Sequence, residues 1–233
     1  MTTMRPSPTR TLSAYLAGVV FALALPAPAR AQVAKAPPTI KLATPRTAGE
    51  LSVEQALRGR RSLRSFAATP LTLAEVSQLL WAAQGITDQR GHRTAPSAGA
   101  LYPLELLLVA GNVTGLPSGV YRYRPAGHDL VLAVTGDRRA EVAKACGQGW
   151  VADAPAAVVF TAVFARTAKK YGERSARYVP IEVGAAAENL ALQAEALGLG
   201  ATVVGAFDDA ALATILATAA EEQPLALLPV GRK

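Results

Sequence analysis

Arg60-Arg61-Ser62-Leu63-Arg64-Ser65-Phe66 sets three guanidinium groups and two hydroxyls within seven residues, just after a short helical segment. A guanidinium presents a planar fork of donors that matches phosphate or carboxylate, and hydroxyls add neutral donors. The chemistry open to such a cluster is anion binding, although a solvated basic loop has the same composition. A second stretch, Thr94-Ala95-Pro96-Ser97-Ala98-Gly99-Ala100-Leu101-Tyr102-Pro103, leads directly into an apolar run. Small residues between prolines let backbone approach a flat ligand closely, because no side chain intervenes. An ordinary turn would use the same residues. Gly198-Leu199-Gly200 and Gly205 flank a short apolar run without the G-x-G-x-x-G spacing of a dinucleotide site. At the C-terminus, Pro229-Val230-Gly231-Arg232-Lys233 brings two cations to the end of a strand-like segment.

Other chemistries find little support. There is no G-x-S-x-G, and neither His92 nor His128 has a plausible serine or cysteine partner nearby. The single cysteine, Cys146, forms no internal disulfide and reads as a small buried residue. No Cys/His cluster has zinc spacing, so no metal site is expected. The formal charge is +7, but the first 31 residues hold Arg5, Arg10 and Arg30 and no acid, leaving 21 basic against 17 acidic residues. That mild excess, with no basic block interleaved with aromatics, argues against nucleic acid.

The elements that must position these groups begin after an export-like leader. Arg5 and Arg10 precede the uncharged apolar run Leu12–Leu25, and Ala29 and Ala31 fit a small-x-small cleavage rule. The run is shorter than the roughly 20 residues of a membrane span. Residues 1–31 are therefore expected to be a cleavable signal peptide, with export to the periplasm and no stable membrane insertion afterwards. Residues 32–50, rich in Pro, Ala and Thr, read as a flexible extended tether, and residues 51–233 as one domain. With 51% apolar residues, that domain has material for a core. Ser52-x-x-Gln55 and Thr72-x-x-Glu75 are capping boxes that each open a helix, the second ending at Gly85. Strands are expected at Leu104–Ala110, Val120–Tyr123, Leu130–Val134, Ala156–Val163, Ala201–Val204 and Leu225–Val230. Helices are expected at Ile181–Leu197, closing at Gly198, and at Asp208–Leu216. Segregated helices and hairpin-like strands indicate an α+β fold.

Taken in order, these features resemble the nitroreductase superfamily, and within it the SagB/ThcOx-type dehydrogenase branch. The likeness runs through Arg-Arg-Ser-x-Arg-x-Phe, Trp81-Ala-Ala-Gln84-Gly85 and Pro96-Ser-Ala-Gly-Ala-Leu-Tyr-Pro103. It continues through Gly119-Val-Tyr-Arg-Tyr, Gly147-Gln148-Gly-Trp150, Glu182…Glu188-Asn189, Val204-Gly205-Ala206-Phe207 and Leu228-Pro-Val-Gly-Arg232. It covers roughly residues 52–232. The resemblance implies a central antiparallel sheet flanked by helices, in a homodimer with FMN at the subunit interface. It also implies that Arg60, Ser62, Arg64 and Arg232, supported by Arg61, hold the FMN phosphate. Pro96, Ser97, Ala98 and Gly99 would line the flavin ring from the partner subunit. Backbone at Glu182, Val183 and Gly184 would face the reactive edge, with Val204 and Gly205 packed nearby. Ala100 departs from simple nitroreductases, which often carry an amide side chain there.

Lys170-Tyr171 resembles the Lys-Tyr pair that serves proton removal in the azoline-oxidising branch; a surface turn with solvated lysines is the other reading. A lysine acts as a base only as a neutral amine, a form favoured by desolvation or a neighbouring cation, and Lys169 is adjacent. The expected function is hydride transfer between FMN and a small organic or peptide-derived substrate. The alternatives are an NAD(P)H-dependent nitro or quinone reductase and a non-catalytic flavin-binding module.

Overall fold

A computed structural model describes residues 1–5 and 38–233 of the chain. The apolar run of the expected signal peptide and its cleavage point after Ala31 lie outside the described residues. The chain divides between Lys35 and Ala36; Met1–Arg5, in the first part, form no helix or strand. The second part holds every described element.

Those elements are β1 (Thr39–Lys41), α1 (Val53–Gly59), β2 (Leu71–Thr72), α2 (Leu73–Gln84), β3 (Leu104–Ala110), β4 (Val113–Thr114), β5 (Gly119–Arg124) and β6 (Asp129–Thr135). They continue with α3 (Arg139–Cys146), β7 (Ala156–Ala162), α4 (Phe164–Tyr171), α5 (Ser175–Ala196), β8 (Leu199–Ala201), α6 (Asp209–Leu216) and β9 (Gln223–Arg232). Seven strands form one antiparallel sheet in the order β1-β6-β5-β3-β7-β9-β8, while β2 and β4 make a small parallel pair. The architecture is the α+β fold expected, a central antiparallel sheet flanked by helices.

The central strands β3 and β7 read as almost unbroken apolar runs because both of their faces are covered. Leu104, Leu106 and Leu108 point to the same side as Val158 and Phe160, against Leu79, Leu80, Val183 and Leu190 of α2 and α5. Leu107 and Val109 point to the other side with Val159 and Leu227, against Val142 of α3 and Leu212 of α6. Both capping boxes form. Ser52 Oγ accepts from Gln55 N and Gln55 Oε1 from Ser52 N, and Thr72 and Glu75 repeat the exchange. α2 stops at Gly85, where a Cβ would fall 2.1 Å from Cδ1 of Trp81.

Three expectations need correction. Within the supposed tether, Thr39–Lys41 pairs with β6 as an edge strand, fixed by main-chain bonds and by Lys41 Nζ donating to Gly127 O. A segment this short carries no readable alternation, so only its partner reveals it. α5 begins at Ser175, not Ile181, and holds Pro180 in its second turn. Proline removes one helical N–H, which packing of Val179, Val183, Ala186 and Leu190 into the core offsets. The strand expected at Ala201–Val204 lies at Leu199–Ala201, and Val204 instead makes an isolated bridge to Leu227.

Candidate functional site

The Pro96–Gly99 loop is drawn between two helices. Ala98 N donates to Glu182 Oε1 of α5 at 2.9 Å, and Tyr102 N donates to Ser97 Oγ at 2.9 Å. Gly99 takes φ +61°, and a Cβ there would lie 3.0 Å from Tyr171 Oη and 3.2 Å from Lys170 Nζ. The absent side chain is what lets Lys170 and Tyr171, at the end of α4, lie against the loop. Tyr171 meets Tyr178 of α5 edge-on, with ring centroids 5.2 Å apart. Pro96, Ser97, Ala98, Tyr178, Ile181 and Glu182 line an open pocket of about 280 Å³. Sequence reading missed Tyr178 and Ile181. Tyr178 precedes Glu182 by one helical turn, a signal visible only once α5 is extended back past Pro180, and Ile181 is the residue next to Glu182.

Glu182 is 5% exposed. Burial pushes its carboxyl above the usual range, opposed by the Ala98 N–H, the Ser97 hydroxyl and the charge of Arg93. Arg93 was also missed. Its guanidinium lies 4.4 Å over the Tyr102 ring and donates to Gln84 Oε1 at 2.7 Å. Arg166 of α4 donates to Tyr102 O at 3.1 Å, so α4 and α5 grip the loop from both ends.

The arginine segment lies along the β8 edge of the sheet. Leu63 N donates to Ala201 O at 3.2 Å, Thr202 Oγ1 to Leu63 O at 2.5 Å, and Ala67 N to Arg232 O at 3.1 Å. Ser62 bridges to Ala201. Two glycines allow this approach: a Cβ at Gly200 would strike Leu63 at 2.4 Å, and one at Gly231 would lie 2.9 Å from Cδ1 of Phe66. The first and last sequence features therefore meet in space. Arg60 caps α1, with Nε 3.5 Å from Glu188 Oε1. Arg61 folds back, donating to the carbonyls of Arg58 and Arg60. Arg64 lies 6.0 Å over the Trp150 ring. Arg232 donates to Glu75 Oε1 at 2.8 Å, and Lys233 to Glu195.

α5 joins the two zones. Glu182 and Glu188 stand about 9 Å apart along its axis at 1.5 Å per residue. Val183 is buried beneath the loop side, and Gly184 has open space where a Cβ would be. Val204 is not brought beside them. It packs with Leu107, Leu227 and Leu212 on the opposite face of the sheet from Val183, while Gly205 is exposed next to it. Elsewhere the chemistry is bland. Burial pushes the Cys146 thiol up to about 11, an unreactive value. Among the described residues no group of three or more His, Cys, Asp or Glu could hold a metal ion.

The sequence profile of the nitroreductase family matches residues 57–232. A Methanocaldococcus jannaschii protein named as a nitroreductase is 45% identical over 185 residues, covering 79% of this chain and 92% of its own. A solved structure from Ralstonia eutropha, also titled a nitroreductase, superposes with a TM-score of 0.73 at 32% identity, over 83% of this chain and 89% of that one. Another from Anabaena variabilis gives 0.74 at 28% identity, over 84% of this chain and 42% of that one. Both the arginine segment and the Pro96–Gly99 loop lie inside the matched region, and the chain belongs to the nitroreductase family.

Proposed function

We propose that this chain is an FMN-dependent oxidoreductase that moves hydride between the flavin and a small organic or peptide-derived substrate. The observation that carries the proposal is the meeting of Lys170 and Tyr171 with Gly99 beside a small-residue wall, in a chain of this family. The residues fit the cofactor in kind. Arg60, Arg64 and Arg232, with Ser62, offer cations and a hydroxyl to a phosphate, with Arg61 behind them. Pro96, Ser97, Ala98 and Gly99 offer a flat face with little side chain, and Glu182, Val183 and Gly184 complete the candidate set, whereas Val204, with Gly205 beside it, packs on the opposite face of the sheet and is left out of it. When bound, FMN supplies the hydride chemistry. What the chain adds is a proton carrier, Lys170 Nζ, 5.4 Å from the Tyr171 ring centroid. Lys170 is exposed in the single chain, and it takes a proton from a substrate held against the loop once bound flavin, substrate or a second copy desolvates it and favours the neutral amine. This is the dehydrogenase reading that the SagB/ThcOx-like motifs favour. The NAD(P)H-dependent reductase reading uses the same pocket with Lys170 or Tyr171 as proton donor. The leader expected from residues 1–31 would argue against it, since export to the periplasm would remove the chain from the main pool of reduced nicotinamide.

The exposed apolar side chains Val53 and Leu57 of α1 and Ile181 of α5 suit burial against a second copy, and we take the working unit to be a homodimer. The test is to produce residues 32–233 and read the visible spectrum. A flavin band, with FMN released on denaturation, is expected; a colourless protein that also refuses added FMN overturns the reading. Replacing Lys170 with Ala separates enzyme from flavin-binding module, because the module keeps its flavin and loses no activity.

A further inference from the structure

We infer that Glu182 is a positioning residue whose side chain latches the Pro96–Gly99 loop to α5 and so sets Gly99 beneath Lys170 and Tyr171. The inference rests on the reading that this loop is the flavin-facing wall. The loop has a conformation it would not keep unaided. Gly99, Ala100 and Tyr102 all have positive φ (61°, 54° and 45°), and for the latter two a Cβ opposes that geometry. The bonds within the loop, Ala100 N to Ser97 O and Tyr102 N to Ser97 Oγ, close a tight turn but fix its position on nothing. Position comes from outside. Asn189 Nδ2 donates to Thr94 O at 3.1 Å, which fastens the start of the segment to α5. Arg166 holds its end to α4 through Tyr102 O. Between them, the tip is held to α5 by Ala98 N donating to Glu182 Oε1.

This assignment makes Glu182 act through an accepted hydrogen bond and not as a proton carrier, even though its burial favours the neutral carboxyl. The two roles separate by substitution. Glu182→Gln keeps a carbonyl oxygen for the Ala98 N–H and removes the titratable group; Glu182→Ala removes both. Amide hydrogen exchange of the 96–102 segment in the flavin-free protein reads the latch directly. Glu182→Ala is expected to raise exchange there roughly tenfold, the scale of one hydrogen bond to a charged or buried acceptor, and Glu182→Gln to stay near wild type. In the FMN-loaded protein, the dissociation constant measured by flavin fluorescence should follow the same order. Unchanged exchange in Glu182→Ala overturns the latch, even in a protein that binds FMN. Equal impairment of the Gln and Ala variants also overturns it, because the carboxyl itself would then be the working group. Failure of the wild-type protein to take up FMN overturns the flavin reading instead, and the exchange result still decides the latch.

Discussion

At the scale of single residues, the arginine segment shows how a motif's meaning depends on the counter-ions that the fold supplies. Sequence order identified Arg60 and Arg232 as candidate anion ligands but gave no hint of Glu188 or Glu75 as their partners, because the partners are 128 and 157 residues away. The two pairs differ in kind. Glu75 spends Oε2 on the α2 cap and Oε1 on Arg232, so its carboxylate is fixed and holds that guanidinium by one nitrogen. Glu188 is half exposed, and its contact with Arg60 is 3.5 Å. A phosphate arriving at Arg60 must compete with that carboxylate. Glu188→Gln should therefore tighten FMN roughly two- to fivefold, the scale of an exposed ion pair. Riboflavin, which lacks the phosphate, should bind both proteins alike. Fluorescence titration of the two flavins checks this; an equal change for riboflavin would mean the effect is not at the phosphate.

At the scale of elements, what could be read depended on whether an element carries its own signal. The starts of α1 and α2 were legible to the residue because their capping boxes are local chemistry, and β3 was legible because a seven-residue run, apolar except for Glu105, ended in Gly111-Asn112. α3 and α4 were missed: each is eight residues, charged, and without a capping side chain. β1 was missed because three residues carry no readable alternation, and the segment that follows it is held by His128, for which the sequence offered no partner. His128 Nε2 faces the Ala43 carbonyl at 2.9 Å, an acceptor only, so that nitrogen carries the proton. Nδ1 accepts from the Tyr123 hydroxyl at 2.9 Å, and Ser77 of α2 lies 2.8 Å from Nε2. One neutral imidazole thus ties the segment after β1 to α2 and β5. Burial holds its pKa below the ordinary value, chiefly by desolvation. The unfolded chain then binds the proton more readily, so stability is whole above about pH 6.5 and falls as the pH drops through the window beneath it. His128→Asn should lower the melting temperature at pH 7.5, with the gap to wild type narrowing at pH 5. A gap that widens on acidification would mean the imidazole is charged in the fold.

At the scale of the whole molecule, the segregation of helices and hairpin-like strands indicated the α+β class and the order of chemical motifs the family, whereas the strand order did not follow from any local pattern. β7 pairs with β3 and with β9, more than 40 residues away on either side, and such pairings are settled by what packs and what is left charged. The polar chain that crosses three strands and reaches the start of a fourth shows the second point. Arg122 of β5 meets Glu222 with two bonds, at 3.0 and 2.8 Å, and Thr161 of β7 also donates to Glu222. On its other side Arg122 lies 3.7 Å from Glu105 of β3, which pairs with Arg166 of α4 at 2.5 Å. In the sequence Glu221-Glu222 looks like solvent-facing loop, yet Glu222 is 5% exposed just before β9. A carboxylate in that place costs desolvation whose return depends on all its partners, so it stabilises the intended β5-β3-β7-β9 alignment more than any register that leaves it unpaired. Glu222→Ala should cost about 2–3 kcal/mol, somewhat under the loss for a fully buried pair, because 29% of the Arg122 side chain remains in water. Arg122→Met added to Glu222→Ala should recover part of that loss, since no half-buried guanidinium is then left without its partner. Denaturant melts of the two single variants and the double variant form the cycle that decides it. If the double variant loses the sum of the single losses, the two groups are not coupled, and the alignment of the sheet owes nothing to this pair.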